Sequence, residues 1–153
     1  MDTMLPSKLL AVQHHHIDQG VEGIVDDTGT PAALAAALRL LREHLYVEEE
    51  VLFPLLAGMG LTMPVFVMKR EHGEMWPLIR KLEAACAGGA GAADLREDAW
   101  TLLQQLKIHN TKEEQILYAA ADDCEPARPD APLIRDMAAA RMPEDWVCSM
   151  APG

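Results

Sequence analysis

Apolar residues recur along this chain at steps of three and four, the spacing of one face of an α-helix, and no stretch alternates with the two-residue period of a strand. Four such stripes can be traced. The first runs Leu10, His14, Ile17, Val21, Ile24 and the second Leu34, Leu38, Leu41, His44, Glu48, Leu52, Leu55. The third is Val65, Met68, His72, Met75, Ile79, Leu82, Cys86, and the fourth Leu95, Ala99, Leu102, Leu106, His109, Glu113, Ile116, Ala120. Between them, Gly, Pro and Asp gather in DDTGTP (26–31), AGMGLTMP (57–64) and AGGAGAAD (87–94), and CEPARPDAP (124–132) closes the regular part. Thr30 before Pro31 reads as an N-cap followed by a first-turn proline, and Asp94 as a cap for the last helix.

Each stripe is broken near its middle by one histidine, and two carry a glutamate one turn later. The second and fourth share the pattern His-x-x-x-Glu-Glu-x-x-Leu-aromatic, in EHLYVEEEVLFPLL and KIHNTKEEQILYAA. The halves of the chain therefore read as two copies of one helical hairpin. Short connections between long helices predict an all-α, up-and-down antiparallel four-helix bundle over residues 1–122, with residues 123–153 as a short helical tail packed on it. Ile134, Met137 and Trp146 are the tail residues expected to cover the bundle.

At 153 residues with 50% apolar composition, the chain suits one core of ordinary size. It contains no apolar run long enough to span a bilayer, and MDTMLPSKLL lacks the basic and apolar regions of a secretory signal, so a soluble, cytoplasmic protein is expected. A formal charge of -11 without a basic cluster argues against nucleic acid and anionic membranes as partners. Cys86, Cys124 and Cys148 are odd in number and without C-x-x-C spacing, which points to reduced thiols rather than disulfides or a thiolate zinc site.

In the bundle, mid-helix positions of all four helices meet at one level, so four imidazoles and two carboxylates would converge. Carboxylates taken out of water need cations, and no Lys or Arg lies on these stripes. Histidine and glutamate four residues apart stack on one helix face, so His44 with Glu48 and His109 with Glu113 can each hold a metal ion, and each glutamate can bridge two. Two bridging carboxylates leave each ion two His and two Glu oxygens, with room for a solvent-derived oxo or hydroxo bridge and an outside ligand. Imidazole and carboxylate without thiolate suit two iron ions, with zinc or manganese accepting the same atoms.

Of the run His14-His15-His16, only His14 falls on the stripe, although a register one residue later would promote His15. Glu49, Glu50 and Glu114 read as solvated, with Glu49 and Glu114 the candidates to stand beside the centre; Glu43 and Glu71 read as surface charges, a place beside the centre being the alternative for each. Tyr46, Trp76 and Tyr118 read as packing residues.

These residues resemble the hemerythrin, or HHE cation-binding, family. The likeness covers roughly residues 5–122 through His14, His44-x-x-x-Glu48, Arg70-Glu71-His72 and His109-x-x-x-Glu113, and is close to bacterial single-domain members in LREHLYVEEEVLFPLL and VMKREHGEMWPLIRKLEAA. The resemblance implies an antiparallel bundle around a non-haem di-iron centre that reacts with dioxygen, nitric oxide or peroxide. It implies His14, His44, His72 and His109 as terminal ligands, Glu48 and Glu113 as bridges, and the pairs His14–His44 and His72–His109. Oxygen-carrying hemerythrins have His-x-x-x-His on the third helix, where this chain has Trp76, and end on His-x-x-x-x-Asp, where it has His109-x-x-x-Glu113. The pattern is closer to hemerythrin-like responders to iron, oxygen or nitric oxide and to proteins that repair iron centres. The expected function is binding or sensing of O2, NO or cellular iron and redox state, with a protein partner for signalling. The alternative is a di-iron enzyme or repair factor that acts on peroxide or NO, or donates iron to damaged centres.

Overall fold

A computed structural model describes residues 5–124 and 133–153. Among the described residues the regular structure is helical, and four rods form the bundle. The first is α1 (Pro6–Val25). The second joins α2 (Pro31–Val47), a π turn (Glu48–Leu52) and α3 (Phe53–Gly58). The third is α4 (Thr62–Ala87), and the fourth joins α5 (Ala92–Lys112), a second π turn (Glu113–Leu117) and α6 (Tyr118–Cys124). A short helix, α7 (Leu133–Ala139), leads into the segment 140–153.

Each rod packs on two neighbours, in the cyclic order α1, α2, α4, α5, which is the antiparallel arrangement expected from the short turns. The turns begin and end where the breakers stand. Thr30 takes extended backbone angles and its hydroxyl accepts the Ala33 N–H at 3.1 Å, with Pro31 in the first turn of α2. Gly60 and Gly89 occupy the left-handed region at φ 93° and 81°, where a Cβ would be strained. Asp94 does not cap the fourth rod. Gly91 takes the flanking position and Asp94 lies inside the first turn, where its carboxylate still favours the positive end of the helix dipole.

The predicted stripes of α1 and α4 are buried, apart from half-buried Cys86. On the second rod the stripe holds through Leu52, and on the fourth only as far as Glu113. Beyond Glu113, Ile116 is 48% exposed and Ala120 half-buried, while Leu117, Tyr118, Ala121 and Cys124 face inward; beyond Glu48 the buried residues are Leu52, Phe53 and Leu56 rather than Leu55. The π turns are the cause. The N–H groups of Phe53 and Tyr118 reach back five residues, to the carbonyls of Glu48 and Glu113, so one extra residue is accommodated in each rod and the inner face moves on by one position.

In the described part of the tail, Leu133 and Met137 are buried, Ile134 is half-buried, and Trp146 is wedged edge-on between Tyr46 and Trp76 at centroid distances of 5.3 and 5.6 Å. Residues 125–132, including most of the closing turn signal, lie outside the described residues.

The Thr30 cap is a local test of this fold. Thr30→Ala leaves the Ala33 N–H unpaired and is expected to cost about 1 kcal/mol of stability, read by urea denaturation.

Candidate metal centre

Halfway along the bundle, one level of the core is polar. His14, His44, Glu48, His72, His109 and Glu113 are all buried there, with Glu48, Glu113 and His72 at 0% exposure. Their ligand atoms fall into two groups, each lying within 4.8 Å of one another: His14, His44, Glu48 and Glu113 in one, and Glu48, His72, His109 and Glu113 in the other. Both glutamates belong to both groups. Glu48 directs Oε2 at His44 Nε2 (3.4 Å) and Oε1 at His72 Nε2 (3.3 Å). Glu113 Oε1 lies 3.3 Å from His14 Nε2 and 3.2 Å from His109 Nε2, and its Oε2 lies 3.7 Å from His72 Nε2. The imidazoles pair at ring-centroid distances of 4.6 Å for His14–His44 and 4.9 Å for His72–His109. His15 and His16 are exposed, so the first rod brings His14 alone to this level.

All four histidines turn Nε2 inward and are held from outside at Nδ1. Gln13 Oε1 holds His44 (2.7 Å), Glu49 Oε2 holds His72 (2.7 Å), Glu71 Oε1 holds His109 (2.9 Å) and Glu114 Oε1 holds His14 (3.1 Å). Each rod thus supplies one histidine and one acceptor for the histidine of the next, closing a ring around the bundle. A proton kept at Nδ1 leaves the Nε2 lone pair free, the arrangement of metal-binding imidazoles. Glu49 and Glu114 are thus the acceptors for His72 and His14; Glu49 is buried and Glu114 exposed. Gln13 was not singled out by sequence, and Glu71 read as a surface charge; instead it lies between His109 and the Lys112 ammonium. The repeat contains the missing signal, since Gln13 precedes His14 as Glu71 precedes His72.

Tyr118 is the larger miss. Its hydroxyl donates to Glu48 Oε2 at 2.7 Å and lies 2.9 Å from His14 Nε2, 3.1 Å from His44 Nε2 and 3.3 Å from Glu113 Oε1. Its counterpart in the repeat, five residues after Glu48, is Phe53. The two rings stack alike, Tyr118 on His14 and Phe53 on His72, but phenylalanine has no oxygen to offer. As a result Glu48 Oε1, His72 Nε2, His109 Nε2 and Glu113 Oε2 have no hydrogen-bond partner among the described residues. Four orphaned, converging donor atoms in a dry interior fit a cation, because unpaired buried polar atoms are otherwise costly. Trp76 packs edge-on against Trp146 and belongs to neither group.

Without a cation, protons balance the two carboxylates. Burial opposes charge on His14, but the hydrogen bond and charge of Glu113 and the charge of Glu48 outweigh it and raise its pKa to about 9. His72 and His109 are raised against the same opposition, His72 by Glu113, Glu48 and Glu49, and His109 by Glu113 and Glu71. Glu48 and Glu113 are correspondingly held below the usual carboxylate range despite their burial, Glu48 chiefly by His44 and Glu113 chiefly by His109. Glu71 is lowered to about 2, first by His109 and then by Lys112, against a smaller opposing effect of burial.

The description of the hemerythrin HHE cation-binding domain matches residues 5–121, which takes in every residue of both groups. The chain belongs to this family. Similar proteins include the iron-sulfur cluster repair protein YtfE of Yersinia pestis (strain Pestoides F) and that of Yersinia pseudotuberculosis (serotype O:1b, strain IP 31758). Each is 31% identical over 103 residues, covering 61% of this chain and 47% of the relative. The chain therefore spans about half the length of these curated relatives. No solved structure matches it. For a hemerythrin-family chain, the buried His/Glu groups are compatible with metal, and none of the described helices is long and apolar enough to cross a membrane.

The proton balance sets a pH dependence for the metal-free hemerythrin-family protein. The folded pKa of His14, about 9, lies above its unfolded value of 6.5, so its contribution is fully present below pH 6.5 and is lost as pH rises through about 9. His72 and His109 act in the same direction. Urea denaturation of chelator-treated protein is expected to show stability falling across that window, a loss that a bound cation should remove.

Proposed function

We propose that the protein holds two iron ions between its four histidines and two central glutamates and uses them to bind or sense dioxygen, nitric oxide or redox state. The observation that carries this reading is that Glu48 and Glu113 belong to both donor groups, which supports two ions that these carboxylates would hold together. His14 and His44 would hold one ion, and His72 and His109 the other. Iron in such a centre supplies one-electron redox chemistry and open positions for small ligands. Zinc and manganese suit the same atoms, and loading them competitively belongs to the test.

The protein's own part is to bind, orient and exclude water. Gln13, Glu49, Glu71 and Glu114 hold the imidazoles in the metal-binding tautomer, and the apolar layers above and below the site keep it dry. Tyr118 would help hold the His14–His44 ion through its oxygen; without a cation, burial and then the charges of Glu113 and Glu48 raise its pKa well above the usual tyrosine value and keep it protonated. Phe53 withholds an equivalent donor from the other ion. The His72–His109 side is thus the one left open to an outside ligand. A cleft of about 140 Å³ bordered by Glu71, Met75, Gln105 and His109 lies on that side and suits a ligand of a few atoms. A signalling role would require a protein partner.

A second reading, favoured by the names of the Yersinia relatives, is a repair factor that passes iron to damaged iron-sulfur centres or consumes NO or peroxide. The two readings differ in whether iron stays. A sensor retains its iron through ligand binding, whereas a donor transfers it to a cluster protein damaged by NO and restores that protein's activity.

Metal analysis by mass spectrometry on protein from iron-replete cells is expected to give close to two irons per chain; zinc alone, or no metal, would refute the redox reading. His44→Ala and His72→Ala should each lose about half of the iron with the helical circular dichroism intact. Tyr118→Phe should keep both irons but lose the visible phenolate-to-iron(III) absorption of the oxidised protein.

A further inference from the structure

The segment 146–151 lies outside the residues that match the family, yet it reaches the metal centre. Trp146 anchors it between Tyr46 and Trp76, and its indole N–H donates to Glu50 at 3.2 Å. Cys148 is buried at the next turn of the chain, and the Met150 carbonyl rests against Gly73, so closely that a Cβ added there would stand 2.2 Å from it. Between these contacts, the backbone N–H of Ser149 donates to Glu49 Oε1 at 2.9 Å. The other oxygen of the same carboxylate holds His72 Nδ1 at 2.7 Å.

We propose that this segment is a clamp on the metal centre, in which the Ser149 N–H fixes Glu49 and Glu49 in turn fixes His72 as a ligand. The inference rests on the two-iron reading given above. Glu49 is the acceptor in the ring that most needs an outside hold, because it is buried while its partner His72 is the most enclosed of the four histidines. A carboxylate whose second oxygen is tied to a fixed backbone donor cannot rotate away from the imidazole. Trp76 and Gly73 serve the clamp as well. Trp76 gives the segment its aromatic seat, while Gly73, immediately after His72, gives the Met150 carbonyl its room. Ser149, Glu49 and Gly73 are positioning residues, and movement of the segment would alter the His72 ion before the other.

Cobalt(II) titration of the chelator-treated full chain provides the test, since its visible spectrum reports the ligand set as well as the affinity. Ser149→Pro removes the N–H and is expected to weaken the second-half ion about tenfold or more and change its spectrum, while Ser149→Ala, which keeps the N–H, should bind within about twofold of the native chain. Gly73→Ala, which displaces Met150, should behave like Ser149→Pro. Glu49→Gln should also weaken binding, and Ser149→Pro should add little in that background, because both changes break the same chain of bonds. Native-like binding by Ser149→Pro, equal damage from Ser149→Ala, or a full Ser149→Pro loss in the Glu49→Gln background would each overturn the clamp. If the native chain takes up two cobalt ions and the variants match it, the clamp alone fails; if the native chain takes up none, the metal reading fails and the clamp falls with it.

Discussion

Two carboxylates buried at the centre of the bundle are the constraint around which the rest is arranged. Glu48 and Glu113 have no exposure and, among the described residues, no Lys or Arg paired with them, and an unpaired buried carboxylate costs several kcal/mol. The histidines around them answer that charge: His14, His72 and His109 hold protons more tightly beside the glutamates, and the same imidazoles offer nitrogen to a cation. The choice of histidine follows: a fixed cation such as Lys would neutralise the pair permanently, whereas imidazole can give its proton up and leave a lone pair for a metal.

The same demand organises what surrounds the centre. An imidazole can present Nε2 inward only if something holds Nδ1, and one acceptor per rod does this for the next rod around the bundle. The glutamate doublets divide the work: Glu48 and Glu113 face the centre, while Glu49 and Glu114, one residue on, reach the histidines of neighbouring rods. The π turns that begin at Glu48 and Glu113 bring Phe53 and Tyr118 inward against His72 and His14. At that point the symmetry of the repeat ends. One hydroxyl separates the halves, and it leaves one set of donors satisfied and the other orphaned.

The helices, their order, the antiparallel bundle and the six converging residues were legible in the sequence, because helical periodicity and the doubled motif are both local signals. A histidine inside an apolar stripe declares its depth, and a glutamate one turn later declares its face. The stripe reading fails past Leu52 and past Glu113 because a π turn leaves no mark in a pattern that assumes one helical period throughout. Ile116 was therefore expected inside and lies outside, and Tyr118, which read as packing, stands in the centre. Gln13 and Glu71 were hidden for a related reason: their partners are on other rods, and a residue's own helix does not say what it reaches across to.

What the sequence by itself determined is the set of groups available at one depth of a helical bundle, since periodicity follows from backbone geometry alone. Only the tertiary structure decided which atoms of those groups face one another, because the tautomer-fixing bonds, the reach of the Tyr118 hydroxyl to His14 and the hold of Ser149 on Glu49 join positions 23 to 104 residues apart. Such contacts depend on rotamers and on the packing of whole rods, and no local stretch of the chain encodes either.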